Sequence, residues 1–351
     1  MRQDEKYMRR CLDLAILGAS TVSPNPMVGA VIVHNGTILG EGYTSPYGGP
    51  HAEVNAVTNA VASFGEEAAK RLFKNATIYV SLEPCAHYGK TPPCAEMLIA
   101  LQFKEVVIGC LDPFAKVNGL GWQKLKDAGI DTRIGVLEGE CKFVNRRFFT
   151  RIKEQRPYVI LKWAQTADGY FGAADNTQQW ISNKASTQLV HKWRGEEDAI
   201  LVGTATALID NPALTTRLWT GKNPKRILID KALAVPDTAA LLNDDAETIV
   251  FNALKTDWQS HKKLIALENF DLYLIQNILY QLYLMDVQSL LVEGGANTIQ
   301  QFLDANVWDE ARVFESEKTW GDGKTAPRIQ HPAQQNIRVG SDQLYTYFNN
   351  G

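Results

Sequence analysis

Two α/β domains in tandem are predicted for this chain, and three observations predict them. At 351 residues it is longer than one hydrophobic core usually serves. In both halves, short β-rich runs alternate with segments of helical period. Between the halves, Asn145 to Arg156 interrupts the alternation with a basic run ahead of Pro157. That run reads as a solvated linker or, as the lesser alternative, a nucleic-acid patch. The domains are placed at 1–146 and 147–351.

The first half reads αββαβαβαβ. Met8, Cys11, Leu12, Ala15 and Ile16 recur at helical spacing over 4–18. Val28 to Val33 and Thr37 to Gly42 are strands joined by Asn35-Gly36, a strong hairpin turn. A helix from Ala52 to Phe64 follows. Strand Thr77 to Leu82, helix Cys94 to Leu101, strand Glu105 to Cys110, helix Leu120 to Asp127 and strand Asp131 to Val136 complete the unit. This order predicts a mixed sheet with helices on both faces and a site at the strand ends.

The second half repeats the alternation. Its strands are Tyr158 to Ala164, Ala199 to Val202, Arg226 to Asp230, Thr248 to Asn252, Leu272 to Ile275 and Ser289 to Glu293. Its helices are Asn183 to Arg194, Ile278 to Asp286 and Ala296 to Ala305. The polar tail after Trp320 shows no readable pattern.

Composition narrows the function classes. Apolar content of 45% with 21% charged residues is that of a globular protein, and a net charge of −3 gives no global basic excess for nucleic acid. No apolar run is long enough to cross a bilayer, and Met1 to Lys6 lead into an amphipathic helix rather than a signal-peptide core. Five scattered cysteines do not make a disulfide framework, so a reducing, cytoplasmic compartment is expected.

The chemistry of the first half concentrates at His51-Ala52-Glu53, answered by Pro84-Cys85 and Cys94. One imidazole and two thiolates suit zinc with its fourth position open to water. His51 and Glu53 start one helix, Cys94 opens another, and Cys85 follows a strand. A helix N-terminus favours thiolate over thiol. Two residues apart on a helix, His51 and Glu53 diverge, which leaves the carboxylate to move a proton rather than bind metal. His-x-Glu with Pro-Cys and a second Cys is the zinc deaminase signature, in which activated water attacks a carbon bearing an exocyclic amine. A closed structural site would need a fourth ligand, for which His87 is the nearby candidate. Eight residues separate Cys85 from Cys94, where nucleic-acid-editing deaminases have two. Within this insert His87 and Lys90 are either phosphate-holding charges or solvated loop residues. Cys11, Cys110 and Cys141 fall on apolar faces and read as core.

The second half is less explicit. No Gly-x-Gly-x-x-Gly follows a strand, which disfavours an ordinary Rossmann site. Val292-Glu293-Gly294-Gly295-Ala296 is a glycine pair between strand and helix, either a phosphate-facing turn or a plain tight one. Arg194 and Arg217, taken alone, read as solvated charges.

The order of motifs carries a resemblance. Ser23-Pro24-Asn25-Pro26-Met27-Val28-Gly29-Ala30, His51-Ala52-Glu53, Glu83-Pro84-Cys85, Thr91-Pro92-Pro93-Cys94, and Asp112-Pro113 with Asn118-Gly119 resemble the deaminase domain of the RibD family of bifunctional riboflavin-biosynthesis enzymes. Lys162 to Gly169, Trp180-Ile181-Ser182, Arg194, Gly203-Thr204, Asp210 to Thr215, Arg217 and Glu293-Gly294-Gly295 resemble its reductase domain. The resemblance implies a cytidine-deaminase-like three-layer α/β/α domain followed by a dihydrofolate-reductase-like α/β domain. It implies a zinc-dependent deamination of 2,5-diamino-6-ribosylamino-4(3H)-pyrimidinone 5′-phosphate. NADPH would then reduce the ribosyl chain to ribityl, giving 5-amino-6-ribitylaminouracil 5′-phosphate. Zinc would sit on His51, Cys85 and Cys94, with Glu53 catalytic and Asn25, His87, Lys90, Asp112 and Asn118 on the substrate. Ala164, Trp180, Thr206, Asp210, Gly294 and Gly295 would hold NADPH, and Arg194, Leu214, Arg217 and Glu293 the second substrate. The implied partners are phosphorylated pyrimidines, with no nucleic acid, no membrane and a homo-oligomeric state. The alternative is a nucleic-acid-editing zinc deaminase with an accessory binding domain. Several positions depart from the family pattern: Thr44 and Phe114 replace a usual His and Asn, Gln178 a usual Ser, Lys231 a usual small hydroxyl residue, and Glu315-Ser316-Glu317-Lys318-Thr319-Trp320 a usual Ala-Pro-Lys-containing stretch.

Overall fold

A computed structural model describes residues 3–86, 88, 92–114, 118–175 and 177–349. It forms two compact units, Met1–Gln155 and Arg156–Gly351.

The first unit runs α1 (Gln3–Ile16), β1 (Gly29–His34), β2 (Thr37–Tyr43), α2 (Ala52–Phe64), α3 (Glu66–Phe73), β3 (Thr77–Leu82), α4 (Cys94–Ala100), β4 (Glu105–Cys110), α5 (Leu120–Asp127), β5 (Asp131–Ile134), α6 (Glu138–Val144) and α7 (Arg146–Glu154). Its sheet has the order β2-β1-β3-β4-β5, antiparallel from β2 to β3 and parallel from β3 to β5. Asn35 and Gly36 take φ of 49° and 79°, the positive values that a two-residue hairpin turn requires.

Two close approaches fix the layers. A Cβ on Gly29 would lie 1.9 Å from the Cys11 carbonyl oxygen, so α1 rests directly on β1. Cβ atoms on Gly40 and Gly42 would lie 2.3 and 2.4 Å from the backbone of Ala56, so α2 rests on β2. Gly42 pairs with Ala30, the neighbour of Gly29, so the two helices cover opposite faces. The result is a three-layer α/β/α unit.

The stretch read as a solvated linker is α7. Phe148 and Phe149 turn inward and are buried, Ile152 packs beside them, and Arg146, Arg147, Arg151 and Lys153 give the helix its basic character. The composition is basic, but the two aromatics anchor the segment to the first unit, which ends at Gln155. Helices α3 and α6 also have no counterpart in the sequence reading.

The second unit contains β6 (Tyr158–Gln165), β7 (Tyr170–Gly172), α8 (Lys184–Glu196), β8 (Ala199–Gly203), α9 (Thr204–Asp210), β9 (Lys225–Ile229), β10 (Thr248–Asn252), β11 (Asp257–Trp258), β12 (Lys262–Ala266), α10 (Leu274–Leu284), β13 (Ser289–Val292), α11 (Ala296–Asp304), β14 (Glu310–Glu315), β15 (Lys324–Thr325), β16 (Gln335–Val339) and β17 (Asp342–Phe348). Ten strands form one sheet, β11-β12-β10-β9-β8-β13-β6-β14-β17-β16, parallel from β12 to β14. Val159, Leu161 and Trp163 face one way and pack with Ile278, Leu282 and Phe302 of α10 and α11. Tyr158 and Ile160 face the other way and pack with Val190 and Trp193 of α8. Covered on both faces, the parallel strands read as nearly unbroken apolar runs.

The expected strand at Leu272 to Ile275 is not formed. Leu272 and Tyr273 are exposed, and Ile275, Ile278, Leu279 and Leu282 make a helical stripe that starts α10 early. The strand is supplied by β12, which pairs with β10. The unreadable tail yields β15, β16 and β17, with β17 paired to β14.

Candidate functional site

The expected metal ligands converge. His51 is the N-cap of α2, Cys94 the first residue of α4, and Cys85 follows β3 by a short turn. Their ligand atoms lie within 4.8 Å of one another, with His51 Nδ1 3.6 Å from Cys85 Sγ and 3.3 Å from Cys94 Sγ. Among the described residues no other His, Cys, Asp or Glu group of this kind forms. A borderline-soft nitrogen and two sulfurs fit a zinc ion, and the set leaves a tetrahedral position for water.

The electrostatics support that fit. The Cys94 thiol and His51 hold Cys85 down at about 4, and the same shared hydrogen bond, with burial, drives Cys94 upward. His51 is raised to about 8 by its hydrogen bond to Cys85. Glu53 is buried at 3% exposure, and burial followed by the Cys85 charge raises its carboxyl to about 7.

Glu83 organises the surroundings, a role that sequence reasoning missed. Its buried carboxylate accepts backbone N–H groups from Asp112 (3.2 Å), Gly119 (3.0 Å), Gly121 (2.8 Å) and Trp122 (3.1 Å). It thus ties the end of β3 to the start of α5. Its place in Glu83-Pro84-Cys85 was the available signal. Lys124 of α5 adds a second tie, donating to the Ala86 carbonyl at 3.2 Å and to Glu96 at 2.8 Å.

The expected substrate residues are placed unevenly. Asp112 is buried and accepts the Phe114 N–H at 2.8 Å, which shapes its own loop. Asn25 is half-buried and Asn118 exposed. His87 and Lys90 lie outside the described residues. Thr44, where the family pattern has His, is buried and accepts the Val28 N–H at 3.2 Å.

In the second unit a cleft of about 540 Å³ opens where β8 and β13 end. This falls within the roughly 300–1,000 Å³ usual for ligand clefts. Thr206, Asp210, Gly295 and Glu293 line it, as do Gln178 and Lys324. The two strand-to-helix turns are packed together. A Cβ on Gly294 would lie 2.5 Å from Val202 Cα, and the Gly295 N–H donates to Thr206 Oγ1 at 2.8 Å. Backbone therefore lines the cleft where a dinucleotide phosphate would need room, so the residues present fit NADPH. Three expected cofactor residues are not among those lining this cleft: Gly294, which packs beneath it against Val202, and two that stand further off. Ala164 is half-buried in β6, and Trp180 stands 68% exposed beside a separate groove with Ser182 and Leu218.

Beside the cleft, Arg194 forms a two-pronged pair with Glu293 at 2.9 and 2.8 Å, and Lys162 approaches Glu293 at 4.0 Å. Burial opposes ionisation of Glu293, but these two cations overcome it and hold the carboxyl at about 2. Arg194 is therefore not a solvated charge. Arg217 is exposed and held by Thr215 Oγ1 at 3.0 Å, while Leu214 is buried in the core. Sequence reasoning missed Lys162 and His191. His191 is buried, accepts the Arg217 N–H at 3.0 Å, and is lowered to about 4 by burial and the Arg194 charge.

Comparison with known proteins decides the family. The RibD C-terminal domain matches residues 157–348, and the cytidine and deoxycytidylate deaminase zinc-binding region matches residues 1–110. The riboflavin biosynthesis protein RibD of Aquifex aeolicus is 41% identical over 327 residues, covering 91% of this chain and 88% of that protein. The chain belongs to the RibD family. The Escherichia coli RibD is 36% identical over 335 residues, 91% of this chain and 89% of that one. The structure of a diaminohydroxyphosphoribosylaminopyrimidine deaminase/5-amino-6-(5-phosphoribosylamino)uracil reductase from Thermotoga maritima is similar at a TM-score of 0.88 and 36% identity, covering 98% of this chain and 97% of that one. Acinetobacter baumannii RibD is similar at 0.85 and 31%, covering 99% of both chains. The RibD fold accordingly accounts for both units, a cytidine-deaminase-like one and a RibD C-terminal reductase one, both α/β.

Proposed function

We propose that the chain is a bifunctional enzyme of riboflavin biosynthesis, with a zinc-dependent pyrimidine deaminase in the first unit and an NADPH-dependent reductase in the second. Its substrate is the diaminopyrimidinone ribosylamine 5′-phosphate, and its product the ribitylaminouracil 5′-phosphate. The observation that carries this reading is the buried Glu53 carboxyl beside the converging His51, Cys85 and Cys94.

His51, Cys85 and Cys94 hold the zinc, which supplies Lewis-acid activation of water when bound. Glu53 takes the proton of the attacking water and returns it to the departing amine, so that ammonia leaves. Burial, the largest influence on the Glu53 carboxyl, raises its affinity for a proton, which suits a group that takes up and returns one. Glu83 and Lys124 keep the turn that bears Cys85 in register with the loop that bears Asp112. Asn25, Asp112 and Asn118, with His87 and Lys90, are assigned to the first substrate.

In the second unit, bound NADPH supplies a hydride to the opened sugar. Thr206, Asp210, Gly294 and Gly295 are assigned to the cofactor, joined by Ala164 and Trp180. Lys162 and Arg194 flank one carboxylate, which leaves net positive charge beside the cleft for an anionic substrate. Arg217 and Leu214 complete that set.

Small phosphorylated pyrimidines are the partners, and no helix among the described residues is long and apolar enough to cross a membrane. Five free thiols support a reducing, cytoplasmic setting. A homo-oligomer is proposed by analogy and is tested by the molecular mass in solution. The activity itself is tested by giving the purified protein the diaminopyrimidine ribosyl phosphate with and without NADPH. Ammonia is expected without NADPH, and NADPH oxidation only after deamination. Ammonia release with no NADPH consumption at any substrate level would overturn the reductase half.

A further inference from the structure

The cleft in the second unit has an uneven charge lining. Asp210 and Glu293 are acidic, and among the described lining residues Lys324 alone is basic. A dinucleotide phosphate brought there meets one cationic side chain, on β15, far along the chain from the glycine turns.

Lys324 is carried on a built arm. Strand β15 pairs with β7, Lys324 opposite Gly172 and Thr325 opposite Tyr170. Gly323 allows the close pairing: a Cβ there would lie 2.8 Å from the Gly172 carbonyl oxygen. The chain ahead of the arm is held by Asp168, whose carboxylate accepts the N–H of Trp320 at 2.9 Å and of Gly321 at 2.8 Å. Thr166 Oγ1 donates to the other oxygen of Asp168 at 2.5 Å, and the Tyr170 hydroxyl donates to the Gly321 carbonyl at 3.2 Å. Beyond the arm, the Ala326 N–H donates to the Gly169 carbonyl at 2.9 Å. The tethers on both sides set where the Lys324 stem emerges, and Phe171 and Gly172 of the same small sheet line the cleft beside it.

We propose that Lys324 is the phosphate-recognition side chain of this cleft, meeting a phosphate of the dinucleotide cofactor, and that Asp168 is the positioning residue that holds it there. The proposal rests on reading the cleft as the cofactor site. The phosphopyrimidine is the other source of phosphate. Of the residues assigned to that substrate in this unit, only Glu293 lines the cleft, whereas Thr206, Asp210 and Gly295 of the cofactor set do.

The test is equilibrium titration of the full-length protein with NADPH, NADH and 2′,5′-ADP at low and high salt. Lys324→Ala is expected to weaken NADPH binding roughly tenfold, as loss of a charge-assisted contact does, and to flatten its salt dependence. Lys324→Arg is expected to restore most of the affinity. Asp168→Asn is expected to give a smaller loss, less than additive with Lys324→Ala. An equal loss for NADH places the contact at the shared pyrophosphate, and a loss confined to NADPH and 2′,5′-ADP places it at the 2′-phosphate; either supports the proposal. Unchanged NADPH affinity in Lys324→Ala overturns it, as does a rise confined to the KM of the phosphopyrimidine. Failure of the wild-type protein to bind NADPH would instead overturn the reductase reading. Urea unfolding of each variant, followed by the fluorescence of the second unit's tryptophans, reports that this unit is folded.

Discussion

The carboxylate of Glu83 accepts the backbone N–H of Gly121 at 2.8 Å, and this bond joins the strand end that precedes Cys85 to the first turn of α5. Four N–H donors converge on that one side chain. Glu83→Gln keeps the shape but offers a single acceptor oxygen, so buried donors lose their partner. The variant should lose roughly 2–4 kcal/mol from the first unit, and its zinc content after dialysis should fall. Urea unfolding with zinc analysis checks this. Wild-type stability and full zinc would mean that the four bonds do not hold the site.

Gly42 brings α2 onto β2, and with it His51 and Glu53. A Cβ there would lie 2.4 Å from the Ala56 nitrogen, a backbone atom that cannot step aside. Gly42→Ala should cost about 1–3 kcal/mol by overpacking and lower deaminase activity with every ligand intact. Normal stability together with normal ammonia release would show that the helix tolerates the shift.

The two kinds of result differ in how far the sequence reveals them. His51, Glu53, Cys85 and Cys94 are legible because metal chemistry admits few residue types. The helices that bear them are legible from period. Glu83 is not, because its partners lie 29 to 39 residues away and are backbone groups, which carry no residue signature. Helix α7 was obscured by its arginines and lysines, although Phe148 and Phe149 decide its burial. Leu272-Tyr273-Leu274-Ile275 has β-like composition, yet the stripe from Ile275 to Leu282 commits it to α10. Arg194 reads as a solvated charge until Glu293, far off in sequence, is seen to pair with it.

Acid should weaken the second unit in two steps. His191 is lowered to about 4 from its ordinary 6.5, so the unfolded chain takes the proton first and stability falls as pH drops from about 6.5 to about 4. Glu293 is held at about 2 against an ordinary 4.5, so its contribution is complete above 4.5 and is lost as pH falls toward 2. His191→Gln should remove the first step, a slope of at most about 1.4 kcal/mol per pH unit. Denaturant titrations from pH 7 to pH 4 measure it, and parallel curves for variant and wild type would refute the assignment.

Zinc removal should expose one thiol selectively. With Cys85 held down at about 4, chelated protein should alkylate there rapidly even at pH 6. Cys11, Cys110 and Cys141 are fully buried and should stay protected until unfolding. Peptide mapping after brief iodoacetamide treatment reads the order. Equal labelling of Cys85 with and without zinc would contradict its role as a ligand.

The central claim is that Glu53 moves the proton while His51, Cys85 and Cys94 hold the metal. The most direct measurement is ammonia release by Glu53→Gln with its zinc content determined on the same sample. The expected result is full zinc and a rate lower by about 10²- to 10⁴-fold, with NADPH binding unchanged. Undiminished ammonia release at full zinc occupancy would contradict the account.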